Sequence, residues 1–112
     1  MIVSEAHVVA FSVSGSGTIE VAAAPGAGYR NHLVGCSITL ASLSTLQWLS
    51  AATAKTGVMV LSALDWDPLP VNKNGLPAVR TRIDCAADEA LNLTVGSTAT
   101  GIAYYVTTEV KP

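Results

Sequence analysis

The chain has 112 residues, 50% of them hydrophobic and 12% charged, with a formal net charge of −2. That length closes one hydrophobic core and is too short to divide into two, so a single domain over residues 1–112 is expected. The six basic residues are scattered from Arg30 to Lys111 and form no electrostatic footprint for nucleic acid, while so few charges leave apolar surface that an oligomer would bury.

From Ala6 to Ser14 the chain is β-branched and aromatic (His7, Val8, Val9, Phe11, Val13) and stops at Gly15-Ser16-Gly17, which predicts a strand and its turn. Thr18-Ile19-Glu20-Val21 alternates with period two and ends at Pro25-Gly26-Ala27-Gly28, so a hairpin is expected here. Tyr29 to Leu40 predicts a strand with Val34, Cys36, Ile38 and Leu40 on one face and Gly35, Ser37 and Thr39 on the other. Leu43 to Leu49 predicts another, with Leu46 and Trp48 together and Thr45 and Gln47 opposite. Ala51 to Gly57 carries no helical apolar stripe and is read as a connection.

Val58 to Leu64 is an apolar run of strand length, and Pro68, Pro70 and Asn72-Lys73-Asn74-Gly75 make the next segment irregular or an edge. Val79 to Cys85 alternates again, with Val79, Thr81 and Ile83 one way and Arg80, Arg82 and Asp84 the other. Ala90 to Val95 and Ala99 to Val110 complete about eight strand candidates at the spacing of an all-β sandwich or barrel. The expected fold is an antiparallel, jelly-roll-like β-sandwich. The uncharged stretch from Leu33 to Ala54 is long enough to cross a bilayer, and mean hydropathy is +0.46. Ser and Thr interrupt it too often for an apolar helix, so no membrane partner is expected. The N-terminus Met1-Ile2-Val3-Ser4-Glu5 has neither the basic nor the apolar region of a secretory signal, which predicts synthesis in a cytoplasm. In that reducing compartment Cys36 and Cys85 read as two small buried hydrophobes, since they pair only if their Cα atoms come within about 7 Å.

The segment Thr18-Ile19-Glu20-Val21-Ala22-Ala23-Ala24-Pro25-Gly26-Ala27-Gly28-Tyr29-Arg30 resembles small bacteriophage virion proteins, in which a strand enters an Ala-Pro-Gly-Ala-Gly turn and a basic residue opens the next strand. Ala87-Asp88-Glu89-Ala90-Leu91-Asn92-Leu93, followed by Gly101-Ile102-Ala103-Tyr104-Tyr105-Val106, is similar to the same group. With Ser62 to Pro70, the resemblance spans roughly residues 18 to 109. It implies a jelly-roll-like sandwich that associates, often as a trimer, on the outside of heads or on tail structures. Where that family carries Trp or Phe before the acidic-alanine-leucine motif, this chain has Ala78-Val79-Arg80-Thr81-Arg82, so contacts made there differ. The strand from Ala6 to Ser14 is less well matched and is free to pair with a neighbouring chain.

Catalysis needs a nucleophile, a base in reach and an orienting acid. His7 and His32 are the only imidazoles, no Gly-x-Ser-x-Gly elbow is present, and neither histidine has a second metal ligand at close spacing, so both read as surface or interface residues. No enzyme, metal or cofactor is expected. Gly15-Ser16-Gly17 and Gly26-Ala27-Gly28 lack the Lys-Ser/Thr pair of a phosphate loop and are expected to supply positive φ to hairpins. Asp65-Trp66-Asp67 could stack and hydrogen-bond a sugar, but Trp66 beside Pro68 reads better as a loop anchor. Trp48, Trp66, Tyr104 and Tyr105 are the candidate interface anchors, with Arg80 and Arg82 the nearest thing to a basic patch. These readings predict a capsid decoration (cement) protein, a homotrimer seated on the major capsid protein at the virion exterior. The alternative is a tail fibre, baseplate or receptor-binding component that recognises the host surface.

Overall fold

The computed structural model describes residues 4–67 and 82–110. Its strands are, in chain order, β1 (Ser4–Val13), β2 (Gly17–Ala22), β3 (Tyr29–Ser50), β4 (Thr53–Ala54), β5 (Met59–Trp66), β6 (Ile83–Asp84), β7 (Leu91–Val95) and β8 (Ala99–Glu109). All pairings are antiparallel, and the strands form one sheet of order β1-β8-β3-β7-β2, with β4, β5 and β6 also paired to β3. The chain is therefore all-β and antiparallel, as expected.

The hairpin predicted around Gly15-Ser16-Gly17 does not form. β1 pairs with β8 and β2 with β7, and neither pairs with the other. Val13 stands opposite Ala99 and Gly17 opposite Val95, so residues 14–16 lie against residues 96–98 and the ladder resumes without a slip. The positive φ of Gly15 (78°) and Gly17 (155°) turns the strand through a corner instead of reversing it. β1 is thus an edge strand of its own sheet, where the sequence left it free for a neighbour.

β3 runs unbroken through the two strands predicted at Tyr29–Leu40 and Leu43–Leu49. Between the pairs Leu40↔Ala99 and Leu46↔Val95, residues 41–45 stand against the three residues 96–98, and β3 also slips against β5 between Thr39 and Ser44. The surplus bulges outward, and a bulge bends its strand. Three hydrogen bonds pin this corner: Gly15 N–H to Thr98 Oγ1 at 2.9 Å, Ala41 N–H to the Thr98 carbonyl at 2.8 Å, and Gly96 N–H to the Thr45 carbonyl at 2.9 Å.

Because of the corner, the two ends of β3 come together. Cys85 donates its N–H to the Asn31 carbonyl at 2.9 Å, and the next residue, Ala86, donates to Ser50 Oγ at 3.0 Å. Asp88 N–H to the Tyr29 carbonyl and Ala51 N–H to the Ala90 carbonyl, both 2.8 Å, extend the clasp. The single sheet is thereby doubled over itself into a sandwich-like pair of layers. Leu33, Cys36, Ile38, Leu40, Ala99 and Ala103 from one half join Leu46, Trp48, Leu91, Leu93 and Val95 from the other in one core cluster.

Two local expectations need correction. A register shift between Leu33 and Gly35 puts Leu33, not Val34, in the core cluster with Cys36; Val34 is buried outside it. The connection after Ser50 is a tight hairpin in which β4 folds back on Ser50 and Leu49, with Ala51 at φ 49°. Of the strand expected at Val79–Cys85, Ile83–Asp84 is β6, and residues 79–81 lie outside those described. Cys85 lies across from Asn31, five residues along β3 from Cys36, which separates the two backbone positions by roughly 13–16 Å along the strand. Both are free and buried.

Candidate functional site

Strand register assembles a polar line across the outer face of the sheet. His32 of β3 pairs with Asp84 of β6 on one side, while on the other Arg30 pairs with Thr108 of β8. The alternation of a strand puts Arg30, His32, Asp84 and Thr108 on one face. His32 Nδ1 lies 2.7 Å from Asp84 Oδ1, and His32 Nε2 lies 2.7 Å from Thr108 Oγ1. An ionised carboxylate can only accept, so Nδ1 carries a proton and donates to Asp84; in the neutral ring Nε2 then accepts from the Thr108 hydroxyl. The His32 side chain is 13% exposed and that of Asp84 57%, so the imidazole is held in a largely dry place by a wet carboxylate. Arg30, directly across from Thr108, has a buried Nε with no hydrogen-bond partner among the described residues.

This acid–imidazole–hydroxyl line was not legible in the sequence. Its members are 52 and 76 positions apart, and only the pairing of β6 and β8 on opposite edges of β3 brings them together. The one available signal was the polar alternation of Arg30 and His32 in a strand whose later residues are mostly apolar or small.

The predicted anchors separate. Trp48 is fully buried at the centre of the core, so it packs the sandwich and offers no surface to a partner. The cause is its position on β3 opposite Leu93, on the face that turns inward after the corner. Trp66 is half-buried against the core opposite Cys36, and the Arg82 guanidinium lies 5.9 Å from its ring centroid while donating to the Asp67 carbonyl at 3.3 Å. Asp65 is exposed and, by alternation, on the face opposite Trp66, so Asp65, Trp66 and Asp67 do not converge on one pocket. Tyr105 stacks on His7, with centroids 4.6 Å apart and planes 21° from parallel, and packs on the core edge; Tyr104 is half-buried on the opposite face. Arg80 lies outside the described residues.

A second surface was missed. Val8, Leu43, Val58 and Val60 are between 61% and 70% exposed. Leu43 is in the outward bulge of β3, Val60 stands opposite Thr45 just beyond it, and Val58 precedes β5 by one residue, so these three gather at the corner. Among the described residues no cluster of His, Cys, Asp and Glu fits a metal ion, and no helix is long and apolar enough to cross a membrane. Comparison with known protein families, curated proteins and solved structures finds no match to this chain.

Proposed function

We propose that this chain is a structural module of a bacteriophage particle, a capsid decoration protein that seats as an oligomer on the major capsid lattice. The observation that carries the reading is the apolar corner: Leu43, Val58 and Val60 stand out from a surface with few charges to solvate it. Large side chains grouped this way and left in water are the mark of a docking surface. The resemblance of residues 18–109 to small virion proteins supplies the kind of partner. Seating of three copies at once raises the effective concentration of each later contact, so weak individual docking suffices.

The tail-borne alternative, recognition of host carbohydrate or protein, would be favoured by an exposed aromatic–acid pocket at Asp65–Asp67. The alternation of Asp65 and Trp66 and the Arg82 guanidinium over the indole weigh against it. The test is cryo-electron microscopy of an intact particle containing the chain. Density at the local three-fold or two-fold axes of the head is expected; density confined to the tail would overturn the decoration reading and favour host attachment.

A further inference from the structure

The Asp84–His32–Thr108 line goes beyond a docking role. A hydroxyl within hydrogen-bond reach of an imidazole, itself oriented by a carboxylate, is the arrangement that activates an otherwise weak nucleophile. Here both links are 2.7 Å, and in the neutral imidazole, with Nδ1–H donating to Asp84, His32 Nε2 accepts from the Thr108 hydroxyl. Arg30 is the register partner of Thr108 on the same face, and its buried Nε has no hydrogen-bond partner among the described residues. Positive charge there is suited to the oxygen that turns negative when a carbonyl is attacked.

We infer that Thr108 is an activated hydroxyl that accepts an acyl group from a small activated ester. In this step Thr108 Oγ forms a bond to the carbonyl carbon as its proton passes to His32 Nε2. The carbonyl oxygen becomes negative beside Arg30, the carbon–oxygen bond to the leaving alcohol breaks, and His32 returns the proton to that alcohol. Water then attacks the acyl carbon as its proton passes to His32 Nε2, the bond to Thr108 Oγ breaks, and His32 returns the proton to Thr108 Oγ as the acid leaves. Thr108 is 9% exposed, so the smallest acyl group, acetyl, is the one to try. Asp84 acts as a positioning residue through the imidazole.

The probe is p-nitrophenyl acetate with the intact folded chain at neutral pH, read by p-nitrophenol release and by peptide mass spectrometry of the adduct. The expected result is acetylation at Thr108, slowed about 100-fold in His32→Gln, the scale set by loss of a general base. Thr108→Val should lose the adduct and Thr108→Ser should keep it. Asp84→Asn should slow acetylation and change its pH profile, a readout that loss of a mere brace would not move. Urea-unfolded wild type guards against variants that fail to fold: Thr108 should label faster in the native chain than in the unfolded one. Equal labelling in the two states, adducts only at other residues, or Thr108→Val reacting like wild type would each overturn the proposal.

Discussion

The amide of Gly15 and the hydroxyl oxygen of Thr98 meet at 2.9 Å, on the line along which the sheet folds. The same Thr98 accepts the Ala41 amide on its carbonyl, so one residue holds both neighbouring strands as they turn. Thr98→Val removes the side-chain acceptor while preserving shape, and Thr98→Ser keeps it. Urea denaturation should show Thr98→Val less stable by about 1 kcal/mol and Thr98→Ser close to wild type, the usual worth of a single partly exposed hydrogen bond. Equal loss in both would mean that the methyl group, not the hydroxyl, holds the corner.

Two glycines of β8 and its turn separate backbone from side-chain constraint. A Cβ on Gly101 would lie 2.3 Å from the Ser37 carbonyl oxygen and 2.9 Å from Ile38 Cα, whereas on Gly96 it would meet the Ser44 and Thr45 hydroxyls at 2.4 and 2.5 Å. Hydroxyls can rotate away and a strand backbone cannot. Gly101→Ala should therefore cost several times what Gly96→Ala costs, with overpacking penalties on the order of 1–3 kcal/mol or more for the former. Thermal unfolding of the two variants measures the difference, and a Gly96→Ala variant as damaged as Gly101→Ala would show that the corner hydroxyls are fixed.

Strand positions were legible because the period-two alternation of segments such as Leu91–Val95 and Ala99–Glu109 is a local property that survives into the fold. Long-range consequences were not. Gly15 and Gly17 look alike in a hairpin and in a corner, since both need positive φ, and only the register against residues 92–108 distinguishes them. Trp48 sits in a half-polar strand that reads as one-sided, but doubling of the sheet buries it completely. For the outer-face line, His32 gave no hint of Asp84 or Thr108, because partners across strands leave no mark in local spacing.

Trp48 also carries a test of how the core is built. Its Nε1 is buried with no hydrogen-bond partner among the described residues, so the ring contributes volume while its N–H is a cost. Trp48→Phe removes that orphan donor along with some packing and should cost less than about 1.5 kcal/mol. Trp48→Ala should cost about 3–5 kcal/mol. Chemical denaturation of both variants decides it; a Phe variant as unstable as the Ala variant would mean that the indole N–H is satisfied in solution.

The thiols predict an alkaline limit. Burial pushes Cys36 from 9.0 up to about 12 and raises Cys85 as well. Above about pH 9 the unfolded chain gives up thiol protons that the folded chain keeps, so stability falls as pH rises from 9 toward 12. Within that window the slope from Cys36 approaches about 1.4 kcal/mol per pH unit, and Cys85 acts in the same direction. Urea midpoints measured from about pH 8 to about pH 11 should therefore fall less steeply in Cys36→Ala than in wild type. Parallel slopes would show that the Cys36 thiol is not held neutral by the fold.

The apolar corner gives the functional prediction. Leu43 and Val60 are 70% and 69% exposed, so lysine at either position removes little packing and should change folding stability by no more than about 0.5 kcal/mol. On the proposed seating docking is another matter, because a lysine buried at this corner must shed its water without a partner. The double variant Leu43→Lys/Val60→Lys should keep its melting temperature and lose co-sedimentation with heads stripped of the chain. Val8→Lys, equally exposed but on β1, should still co-sediment. Were Val8→Lys alone to abolish binding, the seat would lie on the β1 face and the corner would have to be assigned to contacts between copies of the chain.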